Sequence, residues 1–319
     1  MLLRSIYISI PSFRDSRCST TIHSIFDHAD HPDLVSVGVL DQSADPSETC
    51  RVPAERQHQV RYARVSPAAA KGPLYARQLL CRLYKGETYY MMIDAHTTFA
   101  PHWDTLLCKQ WHHLHHRCGV GKPIISAYAA QNLDEMNAGV VHHICRAQPI
   151  TSGKLFPGQS GSVRLSTSAY RRTPYVSCNY LFAEGSFCAT LSCELYRAGG
   201  LFKHVFWGEE AMVACIAYTT GYDVYTPPRL YATHQYYPEI AGRPDNLNWR
   251  KSVTDPNAAK QQQESEANIA AYMDPTNTNG PIRVRSVREF WQAAGFKLSS
   301  DGSVPVQSNA VCTSPETLV

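Results

Sequence analysis

Asp94-Ala95-His96 closes an uninterrupted apolar run, Tyr89-Tyr90-Met91-Met92-Ile93, and is the strongest chemical feature of the sequence. In an extended segment, side chains two residues apart share a face, so this carboxylate and imidazole can meet one ion. The pair suits Mn2+ or another first-row divalent ion. The competing reading is a strand-end Asp that caps the next turn beside an unrelated His. His234, in Tyr231-Ala232-Thr233-His234, carries little signal alone. Glu209-Glu210 follows Phe206-Trp207-Gly208. Two acids at a helix start either complement the helix dipole or face a substrate hydroxyl. Lys71-Gly72-Pro73 with Arg77 places two cations around a helix start, where anions bind, or else forms a tight turn with a solvated lysine. Ser12, Arg14 and Asp15 form a loop that either binds or merely turns. His112 and His116 are one turn apart and could chelate. Their helix must bury Leu107, Trp111 and Leu114, so these histidines read as a solvated face, and His142-His143 is read the same way.

The elements that must position these residues alternate between strand and helix. Ile6–Ile10 is a β-rich run closed by Pro11. Ile22, Ile25, Phe26 and Ala29 follow helical spacing, with Ser19 or Thr20 as the expected N-cap. Val35–Leu40 is the next strand, ending at Asp41, and Gln59–Val65 the third. Pro73 opens a helix bearing Tyr75, Leu79 and Leu83, with Gly86 beyond it. Tyr89–Ile93 reads as a strand covered on both faces. Asp104 is expected to cap a helix with Leu107, Trp111 and Leu114, followed by a strand at Pro123–Tyr128. This order predicts a mostly parallel α/β sheet. Ligands in such sheets bind beyond the carboxyl ends of the strands, where Pro11–Asp15, Asp41 and Asp94–His96 would be neighbours. Residues 129–185 read as loops with short strands. Phe187–Gly200 is ordered, Gly208-Glu209-Glu210 opens an apolar helix through Tyr218, and Asp223–Thr226 is a strand. A polar stretch from Gln235 holds one surface helix near Asn257–Tyr272. Ser286-Val287-Arg288-Glu289 is a capping-box pattern before Phe290 and Trp291.

Composition narrows the partners. The chain has 319 residues, with 30 Lys and Arg against 27 Asp and Glu, a net charge of +3. That balance is not that of a nucleic-acid binder. No apolar run approaches the ~20 residues that span a bilayer, and the first ten residues are too short and interrupted for a signal peptide. The 11 cysteines include no Cys-x-x-Cys pair. They read as reduced thiols, several of them core fillers, in a cytoplasmic protein.

Taken together, these stretches resemble the GlcNAc-type glycosyltransferases of family 60. That family includes cytoplasmic enzymes that modify hydroxyproline of a ubiquitin-ligase adaptor and mucin-type polypeptide GlcNAc-transferases of trypanosomes. The matching stretches are Ile8–Asp15, Val37-Gly38-Val39, Ala70–Pro73 with Tyr75-Ala76-Arg77, Leu83–Glu87, Tyr90–His96 and Trp103-Asp104. Gly208-Glu209-Glu210, Gly221-Tyr222-Asp223, His234 and Val287–Gly295 continue them in the same order. The resemblance implies a GT-A fold, a Rossmann-like, mostly parallel sheet flanked by helices and continuous with an acceptor-binding part. It implies a metal site of Asp94, His96 and His234, holding Mn2+ or, as second choice, Mg2+. It also implies a UDP-sugar donor, contacted by Pro11, Ser12, Arg14, Asp15, Lys71, Ala76, Arg77, Ile93, Asp94 and Ala95. Asp94, His96, Glu209 and Glu210 would be catalytic, with the glutamates orienting sugar or acceptor rather than attacking it. Tyr236, Tyr237 and Trp249 would line the acceptor side.

On this reading residues 1–300 form one catalytic domain. Residues 1–128 bind the nucleotide sugar, 129–256 form the acceptor side, 257–300 hold a polar helix and a C-terminal helix, and 301–319 form a flexible tail. The expected activity is metal-dependent retaining transfer of a sugar, GlcNAc from UDP-GlcNAc first, onto a hydroxyl of a polypeptide (hydroxyproline, Ser or Thr). A UDP-sugar hydrolase, or a transferase with another UDP-sugar or a non-protein acceptor, would use the same residues. A noncatalytic sugar-nucleotide-binding protein would have no need of a complete metal set. Residues 139–177 and 257–279 match nothing in the family pattern, which leaves the acceptor open.

Overall fold

The computed structural model describes residues 4–149, 157–159, 162–165, 169–236, 254–276, 283–298, 305–308 and 317–318. In chain order the first elements are β1 (Ile6–Phe13), α1 (Cys18–Asp27), β2 (Val35–Gln42), β3 (Val60–Arg64), α2 (Pro73–Cys81), β4 (Tyr89–Ile93), β5 (Thr97–Phe99), α3 (Trp103–His112) and β6 (Pro123–Ser126). Next come α4 (Leu133–Asn137), β7 (Val141–Ile144), β8 (Ala147–Pro149), β9 (Pro157–Gln159), β10 (Ser162–Leu165), β11 (Tyr170–Thr173), β12 (Tyr180–Glu184) and α5 (Ser186–Arg197). The last are α6 (Glu209–Thr219), β13 (Asp223–Thr226), β14 (Ala232–His234), α7 (Ala258–Tyr272), α8 (Val287–Ala293), β15 (Phe296–Leu298), β16 (Pro305–Ser308) and β17 (Thr317–Leu318).

Nine strands form the central sheet in the order β17-β11-β13-β6-β12-β4-β1-β2-β3. The run β4-β1-β2-β3 is parallel, as is the pair β13-β6. β12 enters antiparallel between β4 and β6, and β11 pairs antiparallel with β13. β4 explains why the layers form. All five of its residues are buried, and successive side chains enter opposite cores. Tyr89, Met91 and Ile93 pack with Ile22, Phe26, Trp103, Leu107 and Trp111 from α1 and α3. Tyr90 and Met92 pack with Leu74, Phe187, Met212 and Trp291 from α2, α5, α6 and α8. Each large side chain so buried contributes about 1.5–3 kcal/mol. One glycine is demanded by this packing: a Cβ on Gly38 would fall 2.1 Å from the Tyr7 hydroxyl oxygen. That hydroxyl passes over Gly38 to donate to the Leu80 carbonyl at 2.7 Å.

Several expectations change. The thiols are not all reduced: Cys18 and Cys50 form a disulfide, and Cys145 is disulfide-bonded as well. The Cys18–Cys50 bond fastens the loop between β2 and β3 to the first turn of α1. Five free cysteines, Cys81, Cys108, Cys178, Cys188 and Cys215, are buried core fillers. Neither Ser19 nor Thr20 caps α1, which begins at Cys18 without a side-chain cap. Ser19 instead accepts the Arg51 N–H. Asp104 lies inside the first turn of α3, where its two oxygens accept the backbone N–H groups of Asp30 and His31. His143 is buried, with Nδ1 2.7 Å from Thr226 Oγ1, because β7 turns it toward β13. His142 is half-buried against Glu135. The capping box of Ser286 and Glu289 forms as expected. Among the described residues no helix is long and apolar enough to cross a membrane.

Candidate active site

The turn after β4 carries Asp94 and His96. Immediately beyond it, β5 pairs antiparallel with β14, placing His234 opposite Thr97 and Thr233 opposite Thr98. This short ladder brings His234 to the turn across 140 positions of sequence. Asp94, His96 and His234 each present one ligand atom, all within 4.8 Å of one another. Their convergence comes from the turn and the cross-strand register rather than from alternation along one extended strand.

One carboxylate and two imidazoles suit a first-row divalent ion. The surroundings fit such an ion too. His96 Nδ1 lies 2.8 Å from Asp15 Oδ2, which leaves Nε2 as the nitrogen available to an ion. Arg17 fixes Asp15 in turn: Nε donates to Oδ1 at 2.8 Å, Nη2 to Oδ2 at 2.7 Å and the backbone N–H to Oδ1 at 3.1 Å. Burial alone would raise the Asp15 carboxyl, but the bonds from His96 and Arg17 hold it well below the usual range. His234 Nε2 is 3.1 Å from Asp94 Oδ2, while its buried Nδ1 has no hydrogen-bond partner among the described residues. Burial holds the His234 imidazole below its ordinary value, in the neutral form that ligates metals.

Arg77 links this cluster to the paired acids. It is 2% exposed. Its Nη2 donates to Asp94 Oδ1 at 2.7 Å, its Nη1 to the Ile93 carbonyl at 3.1 Å and its Nε to Glu209 Oε1 at 2.7 Å. Burial would raise Asp94, yet the His234 bond and the Arg77 charge keep it ionised, well below the usual range. Gly208, at φ +102°, turns the chain into α6 and sets Glu209 and Glu210 at its first two positions.

A second polar wall lies at the ends of β1 and β2. Ser12 and Asp41 are register partners, and both are buried. Ser12 Oγ and Asp41 Oδ1 have no hydrogen-bond partner among the described residues. Asp41 Oδ2 accepts the Cys50 N–H at 3.1 Å and also the Tyr62 hydroxyl. The other expected donor contacts scatter. Arg14, at φ +50°, makes a two-pronged pair with Glu48. Lys71 Nζ reaches toward α7 and its approach, 3.4 Å from Gln261 Oε1 and 3.8 Å from Asp255. Ala76 packs between Leu40 and Leu80 and brings no polar atom. Pro11 is half-buried, and Ala95 is buried with its carbonyl accepting the Thr21 hydroxyl at 2.9 Å.

On the far side, Tyr236 lies with its ring centroid 4.3 Å from that of His234. Its hydroxyl donates to the Ala129 carbonyl at 2.9 Å and accepts from Asn179 Nδ2 at 3.0 Å. Tyr237 and Trp249 lie outside the described residues. The sequence reading missed Arg17, Gln235, whose Oε1 accepts Arg17 Nη1 at 2.7 Å, and the Ser177–Asn179 turn. Asp15-x-Arg17 was a visible acid–base pair, whereas nothing local marks Asn179.

A search of the curated proteins returns no match. Among solved structures, the chain is similar to residues 1–349 of S. aureus TarS, with a TM-score of 0.50 and 10% identity over 91% of this chain and 69% of that one. It is also similar to a mannosyltransferase of Pyrobaculum calidifontis in complex with GDP-Man and Mn2+, with a TM-score of 0.46 and 14% identity over 85% and 74% of the two chains. GalNAc-T7 with UDP, GalNAc and Mn2+ gives a TM-score of 0.47 and 12% identity over 74% of this chain. The chain spans 44% of that protein's length. The fold is the GT-A fold of glycosyltransferases. The family described as glycosyltransferase (GlcNAc) matches residues 5–57 and 49–289. With that match over most of its length, the chain belongs to the GlcNAc glycosyltransferase family.

Proposed function

We propose that the chain is a metal-dependent retaining glycosyltransferase that moves GlcNAc from UDP-GlcNAc onto a hydroxyl of a polypeptide, at hydroxyproline, Ser or Thr. The observation that carries the metal reading is the trio Asp94, His96 and His234 within 4.8 Å, with Asp15 fixing the His96 tautomer. Mn2+ suits this donor set, with Mg2+ the second choice. When bound, a divalent ion supplies positive charge against the leaving diphosphate. The protein's own residues do the rest. Arg77 keeps Asp94 ionised and aimed. The Ser12 hydroxyl can donate to the nucleoside and Asp41 Oδ1 can accept from it, since a buried polar atom without a partner gains most from a ligand that completes it. Asp94, Arg77 and Glu209 form a fixed row of charges whose orientation costs nothing at the moment of reaction.

The test is UDP release from UDP-GlcNAc with Mn2+, with and without hydroxyproline- and Thr-containing peptides. Release should rise with peptide and fall to background in Asp94→Ala. Equal release by wild type and Asp94→Ala would contradict the reading, and release unaffected by any peptide would favour hydrolysis. The cytoplasmic expectation loses the support of reduced thiols. Cys18–Cys50 favours a compartment where disulfides persist. Alkylation of the native protein without reductant should leave both cysteines unmodified; alkylation of both would restore the reduced reading.

A further inference from the structure

Glu209 and Glu210 are adjacent in sequence but differ in what holds them. Glu209 is buried and accepts from Arg77, which also serves Asp94. Withdrawing Glu209 to serve a substrate would leave a buried guanidinium short of a counter-charge. Glu210 is half-buried. Its Oε1 accepts the Cys178 N–H at 3.1 Å, and Ser177, Tyr128 and Tyr236 are further polar neighbours. Among the described residues it makes no ion pair.

The Ser177–Asn179 turn joins Glu210 to the metal trio. Ser177 Oγ donates to Asn179 Oδ1 at 2.9 Å, Asn179 Nδ2 donates to the Tyr236 hydroxyl, and the Tyr236 ring packs on His234. A half-buried glutamate, held by a backbone N–H and making no ion pair among the described residues, is built to accept from a hydroxyl that arrives with a ligand. Burial first, and then the charge of Glu209, push its carboxyl up to about 7.

We infer that the two acids divide the work: Glu210 is the catalytic residue that orients the incoming acceptor hydroxyl, and Glu209 is a positioning residue acting through Arg77 on Asp94. This rests on the transferase reading above, and the experiment separates the two. Donor binding is measured by titrating UDP-GlcNAc with Mn2+, and transfer by steady-state kinetics on a hydroxyl-bearing peptide.

Glu210→Gln should bind donor within about twofold of wild type and lose kcat by on the order of 10²–10³. Glu209→Gln should raise donor KM and Kd by about tenfold or more, as expected of a disturbed metal-ligand support. Arg77→Lys, which breaks the same chain of contacts while keeping its charge, should reproduce the Glu209→Gln pattern and serves if that variant does not fold. A Glu210→Gln enzyme turning over at the wild-type rate would overturn the inference alone. So would an exchange of the two patterns. Wild-type enzyme that binds donor but transfers to no hydroxyl would overturn the underlying transferase reading.

Discussion

On the wall proposed to bind the donor, polar groups arrive from the ends of neighbouring strands. Ser12 lies one residue before the end of β1, opposite Asp41 of β2, and Asp94 follows the last residue of β4. The sheet register sets their spacing before any side chain makes a bond. On the wall proposed to meet the acceptor, the polar groups come from the turn before β12, the start of α6 and the residues after β14. There Tyr236, Asn179, Ser177 and Glu210 are joined by hydrogen bonds and ring packing rather than by a ladder. A strand-end site is specified by the fold. A loop-built site is specified by its own side chains and is open to change without unmaking the sheet.

Perturbations should therefore separate the walls. The largest effect is expected for Asp94→Asn, which should lower metal-stimulated transfer by about a thousandfold, with the circular dichroism spectrum retained. Loss of no more than a few fold would remove Asp94 from the centre of the donor wall. Reduction of Cys18–Cys50, which closes a separation of 32 residues, should cost about 3–4 kcal/mol and lower the melting temperature. It should also weaken UDP binding, because Cys50 holds Asp41 through its N–H. Unchanged UDP affinity after reduction would show that the donor wall does not depend on that loop.

A smaller effect is expected for Asp15→Asn, which should reduce Mn2+ affinity by about 10- to 100-fold, the usual cost of losing a carboxylate behind a ligating histidine. Direct Mn2+ titration by electron paramagnetic resonance reads this without any turnover. On the acceptor wall, the raised Glu210 carboxyl gives a pH signature. The folded protein keeps a proton there that the unfolded chain has lost, so stability falls as pH rises from the ordinary glutamate value of 4.5 to about 7. The melting temperature of wild type relative to Glu210→Gln should decline across that window and level off above it; a flat difference would contradict the burial argument. The smallest effect, none on activity, is expected for His112→Ala with His116→Ala. Their rings stack 5.1 Å apart on α3 and its extension, and His112 bonds to Tyr89.

The same contrast explains what could be read from sequence. β4 was legible because a short apolar run that follows a helix and a glycine suits a strand buried on both faces. Asp94 and His96 were legible because they follow it at once. His234 came into view only through the family resemblance, since its approach depends on the pairing of β14 with β5. The Asp15–His96 bond spans 81 positions and has no local signature. Cys18 and Cys50 carried no spacing motif, so their bond was missed. His143 was read as solvated because adjacent histidines look polar, yet a four-residue strand buries it. The roles of Glu209 and Glu210 were inseparable in sequence because they differ only in which distant groups they meet.

The most direct test of the central claim, that the β5–β14 register assembles a catalytic metal centre, is Mn2+-stimulated UDP release by His234→Ala measured beside His96→Ala. Both variants should bind Mn2+ more weakly and lose the stimulated release to the same degree, although the residues lie far apart in sequence. Wild-type stimulation in the His234→Ala enzyme would contradict the account.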